Sequence, residues 1–491
     1  VMPTHHGLKN FTGLHYLCTH SVNRSDRFGR MFPHAPPLYV DPRDLASIAD
    51  KDGPMKSTGP AKKTTSVPVA HIFFGQFIDH DITLDLTSSF ARLDAAESTV
   101  NFRTPTLDLD NIYGDGPDGS PYLYHNVASG GAGSEFNGIK ILVGADAPGA
   151  TALQQQDLAR SAHGRAIIGD PRNDENRIIS QLQLGFIRFH NRVADTLHSK
   201  GLTGRTLFDE CRRTVTWHYH WVVVNDFLRA MVGAPLIADI LANGRKIYRP
   251  DDCPFGADAG PDPFIPVEFA VAGFRFGHSM IPQRIQIQAG KPALEVFGAT
   301  LGFGFQPLGD PKGVVEWPQV LDLGNATVDR ADKLDTKLAA DLLDLPFVGA
   351  GDVKSLALRN LLRGQAFRLP SGEHVAAACE RPANEIAKVT NKAQALAGAA
   401  TPAATLAGGT PLWLYILVEA AEIGRETSSG NFDKGEGLGP VGGRIVAETL
   451  IGLLELDDRA YLGSNRAWSP ALAADKLGPN GVFTLLDLLT F

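Results

Sequence analysis

The segment Phe74-Gly75-Gln76-Phe77-Ile78-Asp79-His80-Asp81-Ile82 constrains this chain more than any other. It sets an imidazole between two carboxylates inside an apolar run. Ionisable groups in such a run cost free energy unless each finds a partner. A carboxylate without a basic neighbour must meet something else, such as a metal or a cofactor, so the segment reads as a site. Val69, Ile72, Phe73 and Phe77 follow the three–four spacing of a buried helical stripe. Gln76 and His80, four residues apart, share a helix face. Each residue turns a helix by about 100°, so Asp79 and Asp81 fall to either side of His80. Gln76, Asp79 and His80 can therefore look into one cavity while Asp81 looks elsewhere. The competing picture, a surface helix with solvated charges, fits poorly with flanks this apolar.

A second constellation opens the segment Asp170-Pro171-Arg172-Asn173-Asp174-Glu175. Asp170-Pro171 is a plausible cap and first-turn pair for a helix over 171–198. Its buried stripe, Ile179, Leu182, Phe186, Phe189, Val193 and Leu197, runs back onto Glu175 and then Arg172. The plain alternative is an Arg–Glu surface pair. His190 is a rival imidazole, read as a structural residue. In Gly273-Phe274-Arg275-Phe276-Gly277-His278-Ser279-Met280 a histidine follows a glycine that would let a flat group approach the backbone. A buried neutral histidine is a good axial iron ligand if its other nitrogen has an acceptor. The amide oxygen of Asn360 is a candidate for that acceptor, and Arg363 shares a helix face with Asn360 and could meet an acidic cofactor edge. An ordinary surface amide at 360 is the bland reading.

Thr104-Pro105-Thr106-Leu107-Asp108-Leu109-Asp110 alternates oxygen donors on a short segment, which suits a hard cation such as calcium. Asp81 could add a carboxylate. An EF-hand is excluded because Tyr113 stands where its glycine is needed and Gly119 where its glutamate is needed.

The bulk of the chain bounds what such sites can belong to. Its 491 residues suffice for one large enzyme domain. A net charge of −8 argues against nucleic-acid and anionic-membrane partners. The most apolar stretch, Trp221 to Ala242, is broken by Asn225, Asp226, Arg229 and Asp239, so no membrane span is expected. The N-terminus lacks an apolar signal core, so any export signal is expected to be absent or removed. Cys18, Cys211, Cys253 and Cys379 are too scattered for a zinc site, while disulfides and redox compartment stay open. No internal repeat is visible. Residues 1–66 read as an irregular arm packed on the core and 67–491 as one catalytic domain, mainly α with little β structure. Further helices are expected over 67–86, 205–232, 265–280, 334–344, 353–363, 412–423 and 441–454. Loops are expected over 114–165 and 395–411, and a short strand over 285–288.

Taken together, from about residue 67 to 455, these stretches resemble the animal-type haem peroxidases of the peroxidase–cyclooxygenase superfamily, in a bacterial-like form. Leu438-Gly439-Pro440-Val441-Gly442-Gly443-Arg444-Ile445 and Phe367-Arg368-Leu369-Pro370-Ser371-Gly372 are similar to segments of bacterial members. The resemblance implies a single large helical haem peroxidase domain with haem b and calcium. It implies His80 as distal base, Gln76 as distal hydrogen-bonder, Arg172 as catalytic arginine, His278 as proximal iron ligand and Asn360 as its partner. Arg275 and Arg363 would lie at the cofactor. Asp81, Thr104, Thr106, Asp108 and Asp110 match the calcium site. Asp79 and Glu175 match the carboxylates that esterify haem in vertebrate members. Asn176 stands where myeloperoxidase has its sulfur-linked methionine, so that link should be absent.

The implied reaction is reduction of hydrogen peroxide through an oxo-iron(IV) species, with oxidation of small organic donors or halides. Alternatives within the fold are a haem fatty-acid dioxygenase, a peroxide dismutase and a non-catalytic, calcium-stabilised adhesion or matrix protein. Arg275 stands three residues before His278, where cyclooxygenases and α-dioxygenases carry a radical-forming tyrosine, which favours the peroxidase. A secreted or periplasmic location follows only from the resemblance. The reductant and the oligomeric state are not legible.

Overall fold

Alternating apolar and polar turns of helix give this chain its architecture, seen in a computed structural model that describes residues 28–59, 61–85, 99–250, 263–349, 351–470 and 482–491. The helices that matter here are α1 (Pro42–Ala49), α2 (Ala70–Ile82), α3 (Asp110–Tyr113), α4 (Arg177–Ser199), α5 (Gly204–Val222), α6 (Ala234–Asn243), α7 (Leu356–Ala366), α8 (Ala383–Gly398), α9 (Leu412–Glu422), α10 (Pro440–Leu456) and α11 (Leu485–Thr490). The strands form two-stranded ribbons: β1 (Phe28–Gly29) runs parallel to β3 (Ile265–Pro266), and three antiparallel pairs join β2 (Lys63–Pro68) to β6 (Arg330–Asp332), β4 (Arg284–Ile285) to β5 (Leu294–Glu295) and β7 (Arg425–Ser428) to β8 (Asn431–Asp433). The expected mainly α fold is what the chain adopts. Among the described residues no helix is long and apolar enough to cross a membrane.

An aromatic cluster sets the position of α2. Phe74 and Phe77 stack on Phe186 of α4, with centroids 6.2 and 4.6 Å apart. Tyr219 of α5 meets both rings edge-on at 6.1 and 6.2 Å. Phe227 meets Phe74 at 5.8 Å from a π-helical turn, Val223–Phe227, that continues α5. Rings packed this way gain edge and offset-stacking energy beyond their buried area. The opposite face of α2, carrying Gly75, Gln76 and Asp79, keeps accessible surface. The helix stops at Thr83, whose extended backbone and Oγ1 donate to the Asp79 carbonyl and carboxylate.

Several expected elements differ. The helix expected over 171–198 is two elements: a 3-10 turn, Pro171–Asp174, capped by Asp170, and then α4, capped by Asn176. A second capping side chain inside one apolar stripe restarts the helix, because Asn176 Oδ1 accepts from Ile179 N and satisfies an otherwise orphaned donor. Residues 265–280 form β3, a single helical turn at Val267–Ala270 and a 3-10 segment at Gly273–Met280. The helix expected over 334–344 is absent apart from a 3-10 turn at Ala340–Leu342, since the backbone of Leu334 and Leu338 bonds instead to Gly435, Met55 and Ser57. The loop expected over 395–411 begins inside α8, whose alanine-rich end extends to Gly398. Of the strand expected over 285–288 only Ile285 is strand, at the end of β4. Of the N-terminal segment, residues 1–27 lie outside the described part, while α1 packs on α7 and β1 pairs with β3. Cys211 and Cys379 are free thiols, and Cys18 and Cys253 lie outside the described residues.

Phe77 is fully buried at the centre of the aromatic cluster. Truncation by Phe77→Ala should cost about 3–5 kcal/mol, read as a lower urea midpoint at unchanged m-value.

Candidate active site

The accessible face of α2 looks towards the 3-10 segment Gly273–Met280. The two elements are in contact, and a Cβ on Gly277 would lie 3.5 Å from Ile72 of α2. Gln76 and Asp79 on one side, and Arg275, Gly277 and His278 on the other, all retain accessible surface. Yet burial is the leading influence on Asp79, Arg275 and His278, raising the first and lowering the other two. These side chains thus combine accessible surface with strong desolvation where the two elements meet, as the lining of a recess between them would. Asp79 feels the charges of both Arg172 and Arg275, so it sits between the two walls.

On the first wall, His80 is buried and its Nδ1 lies 2.7 Å from Asn173 Oδ1. Burial and then the Arg172 charge push its pKa down to about 3, so the imidazole is neutral at pH 7. His80 Nε2 is 3.8 Å from Glu175 Oε1. Gln76 donates through Nε2 to that same oxygen and accepts from Asn176 Nδ2 at 3.2 Å. Burial lifts the Glu175 carboxyl to about 7 against the lowering influence of Arg172. Arg172 donates to the His80 carbonyl at 2.9 Å and to Asp170 Oδ2 at 2.8 Å. The turn bearing these groups is wedged in place from both sides. Gly169 touches α3 so closely that a Cβ would stand 2.4 Å from the Asp110 carbonyl oxygen, and one on Gly304 would stand 2.1 Å from that of Asp174.

On the second wall, Asn360 of α7 donates through Nδ2 to His278 Nδ1 at 2.8 Å, while its Oδ1 accepts from Arg275 Nη1 at 3.1 Å. This corrects the expectation that the amide oxygen meets His278. Arg275 has only donors to offer, so it claims the oxygen and turns the amide nitrogen towards the imidazole. Burial and the Arg275 charge push the His278 pKa down to about 3, leaving it neutral. Arg363 is 3.7 Å from Asp85 and lies over the Phe367 ring.

Behind α2, Asp81 points away from the cavity. A ligand oxygen of each of Asp81, Asp108 and Asp110 lies within 4.8 Å of the other two. Leu109 holds a left-handed φ of 57°, uncommon for a branched side chain, and donates its N–H to Asp81 Oδ2 at 3.3 Å. Among the described residues, the buried oxygens Asp81 Oδ1 and Asp108 Oδ1 have no hydrogen-bond partner. Burial raises the Asp81 carboxyl well above its ordinary value, and burial lifts that of Asp110 to about 7. Orphaned, desolvated carboxylate oxygens facing one another are the donor set a hard cation takes. Thr106 and Thr104 lie nearby in sequence, with Thr106 Oγ1 donating to Thr104 Oγ1 at 2.8 Å.

Sequence reasoning missed the residues that tie these parts together. Buried Arg103 donates to Asp110 Oδ1 at 2.6 Å and pairs with Asp170, which in turn holds Arg172. A lone asparagine such as Asn173 carries no periodic signal. Asp170 has the sequence signature of a cap and nothing more. Arg103 sits one residue before the oxygen-rich run, and a basic residue beside so many carboxylates was the available clue.

A family model described as animal haem peroxidase matches residues 87–297, which include Arg172 and His278 but not the 75–81 segment. A peroxidase-like protein of Margaritifera margaritifera is 28% identical over 219 residues, covering 41% of this chain and 26% of that protein. A peroxidase of Drosophila melanogaster is 31% identical over 123 residues, 24% of this chain and 17% of its own length. The chain thus matches about a quarter or less of these relatives. In fold it is similar to peroxidase A of Dictyostelium discoideum, with a TM-score of 0.58 at 14% identity over 94% of this chain and 93% of that one. It is also similar to a fatty acid α-dioxygenase of Arabidopsis thaliana, with a TM-score of 0.57 at 15% identity over 95% and 76%.

Asp170 is the hinge of the ion network. Burial alone would raise its carboxyl, but hydrogen bonds to Arg172 and the Arg103 and Arg172 charges hold it well below the usual carboxylate range. A carboxylate depressed on folding contributes stability that is complete above its unfolded pKa of about 4 and is lost as pH falls towards the folded value. Asp170→Asn should therefore lose about 3 kcal/mol at pH 7, with the gap to wild type closing in denaturant titrations below pH of about 4.

Proposed function

We propose that this chain, in which a family model described as animal haem peroxidase matches residues 87–297, is a haem-dependent peroxidase, reducing hydrogen peroxide and oxidising small organic donors or halides. The observation that carries the reading is the contact between α2, where His80 lies beside Arg172, and the 3-10 segment that bears Arg275 and His278. His278 would hold the iron of haem b through Nε2, which requires its proton on Nδ1 and the Asn360 amide turned oxygen-first, the reverse of the orientation described above; Arg275 and Arg363 would border the group. Asp79 and Glu175, on the first wall, would be its ester partners. Haem bound there supplies the redox capacity that side chains lack.

The protein's own residues then have distinct tasks. Neutral His80 would take the proton from the near oxygen of peroxide and return it to the far one, acting as base and then acid. Arg172, anchored by Asp170, would stabilise negative charge developing along the breaking O–O bond. Gln76 would hold Glu175 aside from that path through the hydrogen bond it already makes. Calcium bound by Asp81, Asp108, Asp110, Thr104 and Thr106 would neutralise the orphaned carboxylates and stiffen the end of α2 next to His80.

A fatty-acid dioxygenase is the second reading, raised by the fold likeness to the Arabidopsis enzyme. At position 275 an arginine is engaged with Asn360 and the Ala270 carbonyl, where that chemistry would want an oxidisable tyrosine. Oxygen uptake with fatty acid in the absence of peroxide would favour it.

The purified chain loaded with haemin should show a Soret band that shifts on adding peroxide. His278→Ala should abolish the native band. His80→Ala should bind haem normally and react with peroxide about 10²–10⁴ times more slowly. A colourless protein that refuses haemin, or a His80→Ala variant of undiminished peroxide reactivity, would sink the proposal.

Chelation should lower the melting temperature, and calcium should restore it in proportion to ln(1 + [Ca]/Kd). Asp108→Ala should erase that calcium response. A calcium-independent melting curve for the wild type would remove the cation from the account.

A further inference from the structure

A chain of buried amides runs from the cation-site segment to His80, and its polarity can be read without ambiguity. It starts at the main-chain carbonyl of Asn111 in α3, next to Asp110. A carbonyl only accepts, so Gln183 must present its amide nitrogen there, and Nε2 does so at 2.9 Å. That turns Gln183 Oε1 the other way, where it accepts from Asn173 Nδ2 at 2.8 Å. Asn173 is then left with its oxygen towards His80, 2.7 Å from Nδ1. Amide orientation is normally a matter of assignment, but here one irreversible acceptor at the far end determines every member. Asn173, Gln183 and Asn111 are all fully buried, so no water competes for these groups.

The consequence falls on the imidazole. A neutral histidine carries one proton, and the nitrogen that holds it is set by the partner of the other ring atom. Asn173 Oδ1 can only accept, so the proton must sit on Nδ1. The bare lone pair is then on Nε2, the atom directed towards Glu175 and the cavity. We propose that Asn173, oriented by Gln183 and the Asn111 carbonyl, is a positioning residue that holds His80 as its Nδ1–H tautomer with Nε2 free to accept a proton.

This rests on His80 being the cavity base only for its catalytic consequence; the tautomer itself is a property of the folded chain. With the proton on Nε2 instead, His80 would offer peroxide a donor where a base is needed. The relay also places the orienting anchor on α3, whose neighbouring Asp110 belongs to the carboxylate cluster. The base is thus tied to that segment twice: through these amides, and through Arg103, Asp170 and Arg172.

The test reads the 15N shifts of the His80 ring in the whole 491-residue chain without haem. The wild type should show a protonated Nδ1 and a bare Nε2. Asn173→Asp, which keeps an acceptor against Nδ1, should leave that pattern intact. Asn173→Leu should abolish the preference. Gln183→Leu, which frees the Asn173 amide to turn over, should give a mixture. In the haem-loaded chain, Asn173→Leu should slow the peroxide reaction about 10- to 100-fold at unchanged haem stoichiometry, and Asn173→Asp should recover most of the loss. A wild type protonated at Nε2 overturns the proposal. So does a Gln183→Leu variant with an undisturbed Nδ1–H tautomer, a measurement that stands even if Asn173→Leu does not fold. If the tautomer pattern holds while the loaded chain ignores peroxide, the relay stands and the peroxidase reading falls.

Discussion

Arg103 is the charge on which the region around the polar end of α2 depends. It is buried, and burial opposes its ionisation, but Asp110 and Asp170 restore it and more. One of those carboxylates belongs to the cluster behind α2 and the other caps the turn that carries Arg172. A buried charge stripped of a partner is far more costly than one never introduced. The three segments that meet at Arg103 are therefore held in one arrangement: the 104–110 run, the 170–175 turn and, through Arg172 and the His80 carbonyl, the end of α2. The aromatic cluster positions α2 as a body. The ion network decides where its polar end is aimed.

The same arrangement separates two kinds of carboxylate within three residues. Asp79 faces the cavity and exchanges influence with arginines on both walls. Asp81 faces the cluster of Asp108 and Asp110. Between them His80 is stripped of its charge by burial and by Arg172. A helix accomplishes this with no special backbone, because rotation by about 100° per residue sends consecutive side chains to different neighbourhoods. What makes it stable is that each neighbourhood was already built to receive the group: a cavity wall, an amide relay and a carboxylate cluster.

Much of this was legible residue by residue. The Gln76–Asp79–His80 face and the divergence of Asp81 follow from helical spacing alone, and the structure has that geometry. The failures share a cause. Residues 171–175 read as the first turn of α4 because their apolar stripe continues into it, yet two competing caps, Asp170 and Asn176, split the run. The 334–344 stretch has a helix-like pattern, but backbone bonds from Leu334 to Gly435 and between Leu338 and the 55–57 segment overrode it. The Asn360 amide was expected oxygen-first towards His278, and Arg275 reversed it by taking the oxygen. In each case a contact distant in sequence outweighed a local preference.

The amino-acid sequence by itself determined which side chains share a helix face, which runs are apolar enough to be buried and which segments are rich in ligand oxygens, because those properties depend on spacing and residue type alone. Only the tertiary structure decided which nitrogen of His80 meets an acceptor, that Arg103 joins two carboxylates 60 residues apart in the chain, and which way the Asn360 amide points. Hydrogen bonds and ion pairs are directional and short-ranged, so their pattern exists only once packing has brought remote segments within about 3 Å of one another.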